Sequence, residues 1–127
     1  LTKRELLFSK MIRDADKLDI LYALSNFQIK PKIYEDDNKI NKKIANVFYK
    51  QTPITKDYIH NANDNIILVF SYVYDINFYI TRYLIKSNNY YSKIYNRLKN
   101  KKIFKEYYEY IDNYLKERTE WYVKQTI

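Results

Sequence analysis

Ile66-Ile67-Leu68-Val69-Phe70-Ser71-Tyr72-Val73-Tyr74 is an almost unbroken apolar run, and how it is covered decides how the rest of the chain must be arranged. The run falls well short of the roughly 20 apolar residues that a membrane-spanning helix needs, and Asp75 and Asn77 follow at once. A helix that is apolar nearly all round in its first half must have other helices on several sides. We therefore expect a central helix from about Ala62 to Lys86. Asp75 is the only charged residue between Asn65 and Arg82. An unpaired charge there would be costly, so Arg82, Tyr79 or a helix end is the expected partner.

Working outward, periodicity predicts a helix on each side of this centre and an all-α bundle of about five helices. The first runs from about Thr2 to Leu24, opened by a capping box of Thr2 and Glu5, with Leu7, Met11, Ala15, Leu18 and Leu21 or Tyr22 as its inward stripe. A loop from Ser25 to Asn38 holds Pro31 and the acidic triplet Glu35-Asp36-Asp37, which can cap the next helix, about Lys39 to Gln51. Ile40, Ile44, Val47 and Phe48 face inward there, and Thr52-Pro53 ends it. The fourth helix is expected at about Tyr90 to Asn100. The fifth, about Ile103 to Val123, presents Phe104, Tyr108, Ile111 and Leu115 at helical spacing. No internal repeat or domain boundary is visible. The chain starts at Leu1 rather than Met, so it reads as a single helical domain or as the C-terminal portion of a longer protein.

Composition excludes several kinds of chemistry. The 127 residues contain no Cys and no Gly, which removes disulfide frameworks, Cys-based zinc sites, Gly-rich phosphate loops and the Gly-Xaa-Ser-Xaa-Gly elbow. A reducing cytoplasm is the expected compartment, with no membrane partner. The net charge of +8 invites a nucleic-acid partner. However, Lys, Asn, Ile and Tyr form about half of the chain, and their A/T-rich codons alone would raise both charge and tyrosine content.

The candidate chemistry lies in the first helix, at Arg13-Asp14-Ala15-Asp16-Lys17-Leu18-Asp19. At 100° per residue Asp16 and Asp19 project from neighbouring turns of one face and Arg13 sits one turn earlier. One carboxylate there would bind a cation while Lys17 reaches the anion that the cation carries. Read from Ile12 to Leu21, the string resembles the final metal-binding motif of HD-domain metal-dependent phosphohydrolases, an Ala-Asp-(Lys/Arg)-Leu core on a helix. Tyr74-Asp75-Ile76-Asn77-Phe78 with Arg82 is similar to the C-terminal helical part of bacterial members. The resemblance implies an HD-domain-like fold, a divalent metal ion held by Asp16 together with a His and a His-Asp doublet, and a metal-activated water that attacks a nucleotide or other small phosphate ester. It further implies Asp16 and Lys17 as catalytic residues, Lys17 and Arg13 as substrate contacts, and Asp14 and Asp19 as supports that orient the ligand. In the family the His and His-Asp motifs precede the final Asp, and no His precedes Asp16 here.

The rival reading is a non-catalytic basic helical module that binds nucleic acid or a partner protein. Lys93, Arg97, Lys99, Lys101, Lys102 and Lys105 form a run without an acid, and Tyr90, Tyr91 and Tyr95 lie beside it. This is the composition of a stacking and phosphate surface for single strands, or of a solvated corner. His60, the sole histidine, is expected on the surface of a polar loop.

Overall fold

The computed structural model describes residues 1–26 and 39–126, apart from the side chains of 121–126. Among these residues every regular element is helical: α1 (Lys3–Ser25), α2 (Lys42–Tyr49), α3 (Ala62–Ser71), α4 (Tyr79–Ser87), α5 (Tyr90–Asn96) and α6 (Lys101–Thr126), with single 3-10 turns at Lys56–Tyr58 and Tyr72–Asp75. The capping box at the start of α1 is present. Thr2 Oγ1 accepts the Glu5 amide at 3.1 Å and donates to the Glu5 carboxylate at 3.2 Å. The expected capping role of Glu35-Asp36-Asp37 lies outside the described residues; α2 is capped by Asn41, whose side chain accepts the Lys43 amide at 3.0 Å.

The apolar run forms the centre of the core. Ile66, Ile67, Phe70 and Val73 are fully buried, with Leu21 and Leu24 from α1, Ile44 and Phe48 from α2, Ile85 from α4, Ile94 from α5, and Phe104, Ile111 and Leu115 from α6 around them. The long α6 packs across α3, α4 and α5, while α1 lies against α4 and α5. Tyrosine supplies much of the remaining contact. The Phe48 ring is surrounded by Tyr49, Tyr74, Tyr107 and Tyr110 at centroid distances of 5.2–5.7 Å, in the edge-to-face and tilted geometries that aromatic quadrupoles favour.

Two expectations are corrected. The helix expected from Ala62 to Lys86 is broken into α3, a 3-10 turn and α4, so there are six α-helices among the described residues rather than about five. Beyond the break, a carboxylate from α1 caps the start of α4, a long-range contact that the periodicity of one segment does not contain. The inward stripe of α1 is also rotated. Leu21 and Leu24 are buried and Leu18 is partly buried, but Leu7, Met11, Ala15 and Tyr22 are exposed. Asp14 faces inward at 3 % exposure, whereas Leu7, two turns earlier on the same face, is exposed with all of residues 1–8, so rotation accounts for Ala15 and Tyr22 and not for Leu7.

Turns without glycine need other solutions. Gln51 and Asn89 take positive φ values of 59° and 56°, a left-handed geometry that asparagine tolerates better than other non-glycine residues.

Buried hydroxyls differ in how they are satisfied. Tyr91 Oη donates to the Val69 carbonyl at 2.9 Å, whereas the buried Tyr74 Oη has no hydrogen-bond partner, and burial raises its pKa. An unpaired buried hydroxyl costs roughly 1–3 kcal/mol. Tyr74→Phe should therefore be neutral or stabilising by about 1 kcal/mol, and Tyr91→Phe should destabilise by about 1 kcal/mol. Denaturant midpoints shifting in opposite directions for the two variants would check this.

Candidate functional site

The Arg13–Asp19 segment is divided by the fold into buried and solvated groups. Asp14 is buried and accepts four hydrogen bonds. Its Oδ1 takes the Asn77 backbone amide at 2.9 Å and Asn77 Nδ2 at 3.0 Å. Its Oδ2 takes the Phe78 amide at 3.0 Å and Thr81 Oγ1 at 2.6 Å. Phe78 occupies the N-cap position of α4 and its side chain makes no capping bond. Asp14 supplies that cap from another helix, and its charge lies at the positive end of the α4 dipole.

Asp64 repeats the device at the other end of the core. Fully buried, it accepts the Asn41 amide at 2.9 Å and the His60 amide at 3.0 Å, while its own amide donates to Asn61 Oδ1 at 2.8 Å. One carboxylate thus joins the starts of α2 and α3. Sequence reading missed it, although Asn61 three residues before Asp64 is a capping-box spacing.

The remaining groups of the segment lie apart from one another chemically. Lys17 Nζ pairs with Asp75 at 2.9 Å, so the partner of Asp75 is Lys17 rather than Arg82 or Tyr79. Arg82 instead donates to the Ile76 carbonyl at 3.1 Å and covers the Tyr79 ring at 4.9 Å. Arg13, Asp16 and Asp19 are exposed. The Asp16 charge adds to burial in raising the Tyr72 pKa. Among the described residues no three His, Cys, Asp or Glu side chains converge, and His60 is exposed on the loop before α3 while Asp16 is on α1. The described residues therefore do not by themselves fit a metal: Asp16 has no second protein ligand beside it, and Asp14 has its oxygens filled by donors from α4.

The second candidate is the corner between α5 and α6. No acid occurs from residue 76 to residue 105, which contain eight cations; the rest of the chain carries fifteen cations and fifteen acids, so this segment accounts for the whole net charge. Codon bias would spread charge along the chain and does not explain that segregation. Several of the eight are engaged within the protein. Arg82 serves Ile76, Lys86 pairs with Asp112 at 2.6 Å, and the Arg97 guanidinium donates to the Leu24 carbonyl near the end of α1, where burial lowers its pKa. Lys93, Lys101, Lys102 and Lys105 are exposed around the corner, Lys105 with only a long 3.8 Å approach to Glu109.

The tyrosines beside this corner are occupied. Tyr91 is buried, Tyr90 meets Tyr22 edge-on at 6.3 Å, and Tyr95 stacks on Tyr108 at 4.4 Å with planes 6° apart. Tyr91 is therefore withdrawn into the core, Tyr90 and Tyr95 are half-buried against other tyrosines, and cationic side chains are left on the outside. An open cleft of about 270 Å³ between Gln51 and α6 lies just below the roughly 300 Å³ of ordinary ligand pockets. Gln51 Nε2 already donates to Tyr110 Oη there, at 2.9 Å.

The two aspartates separate structural from chemical roles. Asp14→Asn should destabilise by about 3 kcal/mol, because the amide turns a donor towards backbone N–H groups that then lie unpaired. Asp16→Asn should stay within about 0.5 kcal/mol of wild type, as expected for an exposed unpaired side chain. Urea unfolding of the two variants provides the measurement. Comparison with family models, with curated proteins and with solved structures returns no match for this chain, so its likeness to the HD-domain motif rests on the residues quoted above.

Proposed function

We propose that this chain is a non-catalytic helical module that binds the phosphate backbone of nucleic acid through the α5–α6 corner. The observation that carries the reading is the segregation of the entire net charge into residues 76–105, with Lys93 of α5 and Lys101, Lys102 and Lys105 of α6 exposed. Clustered cations release condensed counterions from a polyanion. The stacking of Tyr95 on Tyr108 favours contact with phosphates over contact with bases. Such contacts fix position on the nucleic acid without reading its sequence.

A metal-dependent phosphohydrolase acting on a small phosphate ester is the reading that the likeness of residues 12–21 supports. It needs ligands from outside the described residues to join Asp16, and it leaves the charge segregation without a role.

Anisotropy with a labelled DNA duplex tests the proposal. Wild-type protein should bind with a dissociation constant of roughly 10⁻⁴–10⁻⁶ M near physiological salt, weakening as salt rises. Replacing Lys93, Lys101 and Lys102 together by Gln should lower the slope of log affinity against log salt by about 2.7, at about 0.9 per phosphate contact. Asp16→Ala should leave it unchanged. Absence of binding at low salt, or a slope untouched by the triple replacement, would sink the proposal. Divalent-metal-dependent hydrolysis of a nucleotide that is lost in Asp16→Ala would favour the enzyme instead.

A further inference from the structure

Helix α1 carries more apolar surface than the bundle covers: Leu6, Leu7, Phe8, Met11 and Ile12 are all exposed. Turned away from the buried Leu21 and Leu24, one stripe runs through Arg4, Phe8, Met11, Ile12, Ala15 and Asp19. All six are exposed, and Ile12, at 69 %, is among the most exposed large apolar residues of the protein. At 100° per residue they fall within about 100° of arc, and at 1.5 Å per residue the stripe is about 22 Å long. Apolar residues at three- and four-residue spacing on a solvent-facing side are the pattern of a helix that packs on a second helix.

The order of the residues specifies which helix. The stripe is complementary to itself in reverse about its midpoint, between Met11 and Ile12. With two copies antiparallel, Met11 of one meets Ile12 of the other, the large Phe8 meets the small Ala15, and Arg4 meets Asp19. Each contact occurs twice, as a two-fold interface requires. A parallel pair would set Arg4 against Arg4 and Asp19 against Asp19. Asp19 makes no ion pair among the described residues, and Arg4 contacts only the Phe8 ring, 5.6 Å away, so both charges are available for the partner.

We propose that α1 is a self-association surface through which two copies of this chain pair in antiparallel, two-fold fashion. A single helical stripe buries less than the about 1,200 Å² typical of tight specific complexes, so the dimer dissociates at micromolar concentration. The interface lies outside the phosphate-binding corner, and joining two corners in one particle adds avidity for a long polyanion.

Sedimentation velocity over a concentration series tests this. Wild-type protein should move from monomer to dimer. Asp19→Arg and Arg4→Asp should each weaken the dimer by about tenfold or more through like-charge opposition, and the double variant should restore it. All of these positions are exposed, and circular dichroism should show unchanged helicity. Because the chain has no cysteine, orientation can be read by oxidation. Met11→Cys, next to the two-fold, should form a disulfide dimer. Phe8→Cys should not, since its mate is about 10 Å away along the axis and a disulfide reaches Cα atoms only within about 7 Å. A monomer at every concentration overturns the proposal. So does a dimer indifferent to both charge reversals, or one that crosslinks through Phe8→Cys and not through Met11→Cys.

Discussion

The architecture depends on one buried carboxylate. Asp14 takes the amides of Asn77 and Phe78, the Asn77 side chain and the Thr81 hydroxyl, and so fixes where α4 begins, which way it points and how α1 is rotated about its axis. A buried carboxylate without donors would cost far more than the folded state can bear, whereas one that accepts four hydrogen bonds is retained as a specific junction. Because Asp14 faces α4, Ile12 is carried to the far side of α1 and Phe8 and Ala15 to its flank, into solvent. The same contact thus positions a cap and exposes an apolar stripe.

Much of the fold was legible in the sequence because most of its helices are local. The capping box at Thr2, the inward residues Ile44 and Phe48, the buried run from Ile66 to Val73 and the Phe104, Ile111 and Leu115 stripe of α6 all follow from spacing. The failures share a cause. The start of α4 and the inward turn of Asp14 involve contacts more than sixty residues apart in the chain, and a helical wheel drawn for one segment contains no term for such contacts. The donors that Asp14 accepts from the start of α4 and the pairing of Lys17 with Asp75 are contacts of the same long-range kind.

The candidate site was less legible, because residue type does not reveal whether a charge is already engaged. Within the run from Lys93 to Lys105, Arg97 is drawn inward to the end of α1 and Tyr95 onto Tyr108, whereas the lysines around them remain outside. Widening the window to residue 76 would have shown that acids are absent over thirty residues, a signal that composition averaged over the whole chain conceals.

That uneven distribution also makes the molecule an electrical lever. With the remainder of the chain charge-balanced in sequence, the excess positive charge is carried by α4, α5 and the start of α6. An external field from a polyanion then exerts a torque as well as a pull, over a range of about 8 Å at physiological ionic strength. If the proposed phosphate contact holds, such a torque would turn the α5–α6 corner forward before any side chain makes contact and raise the fraction of productive encounters.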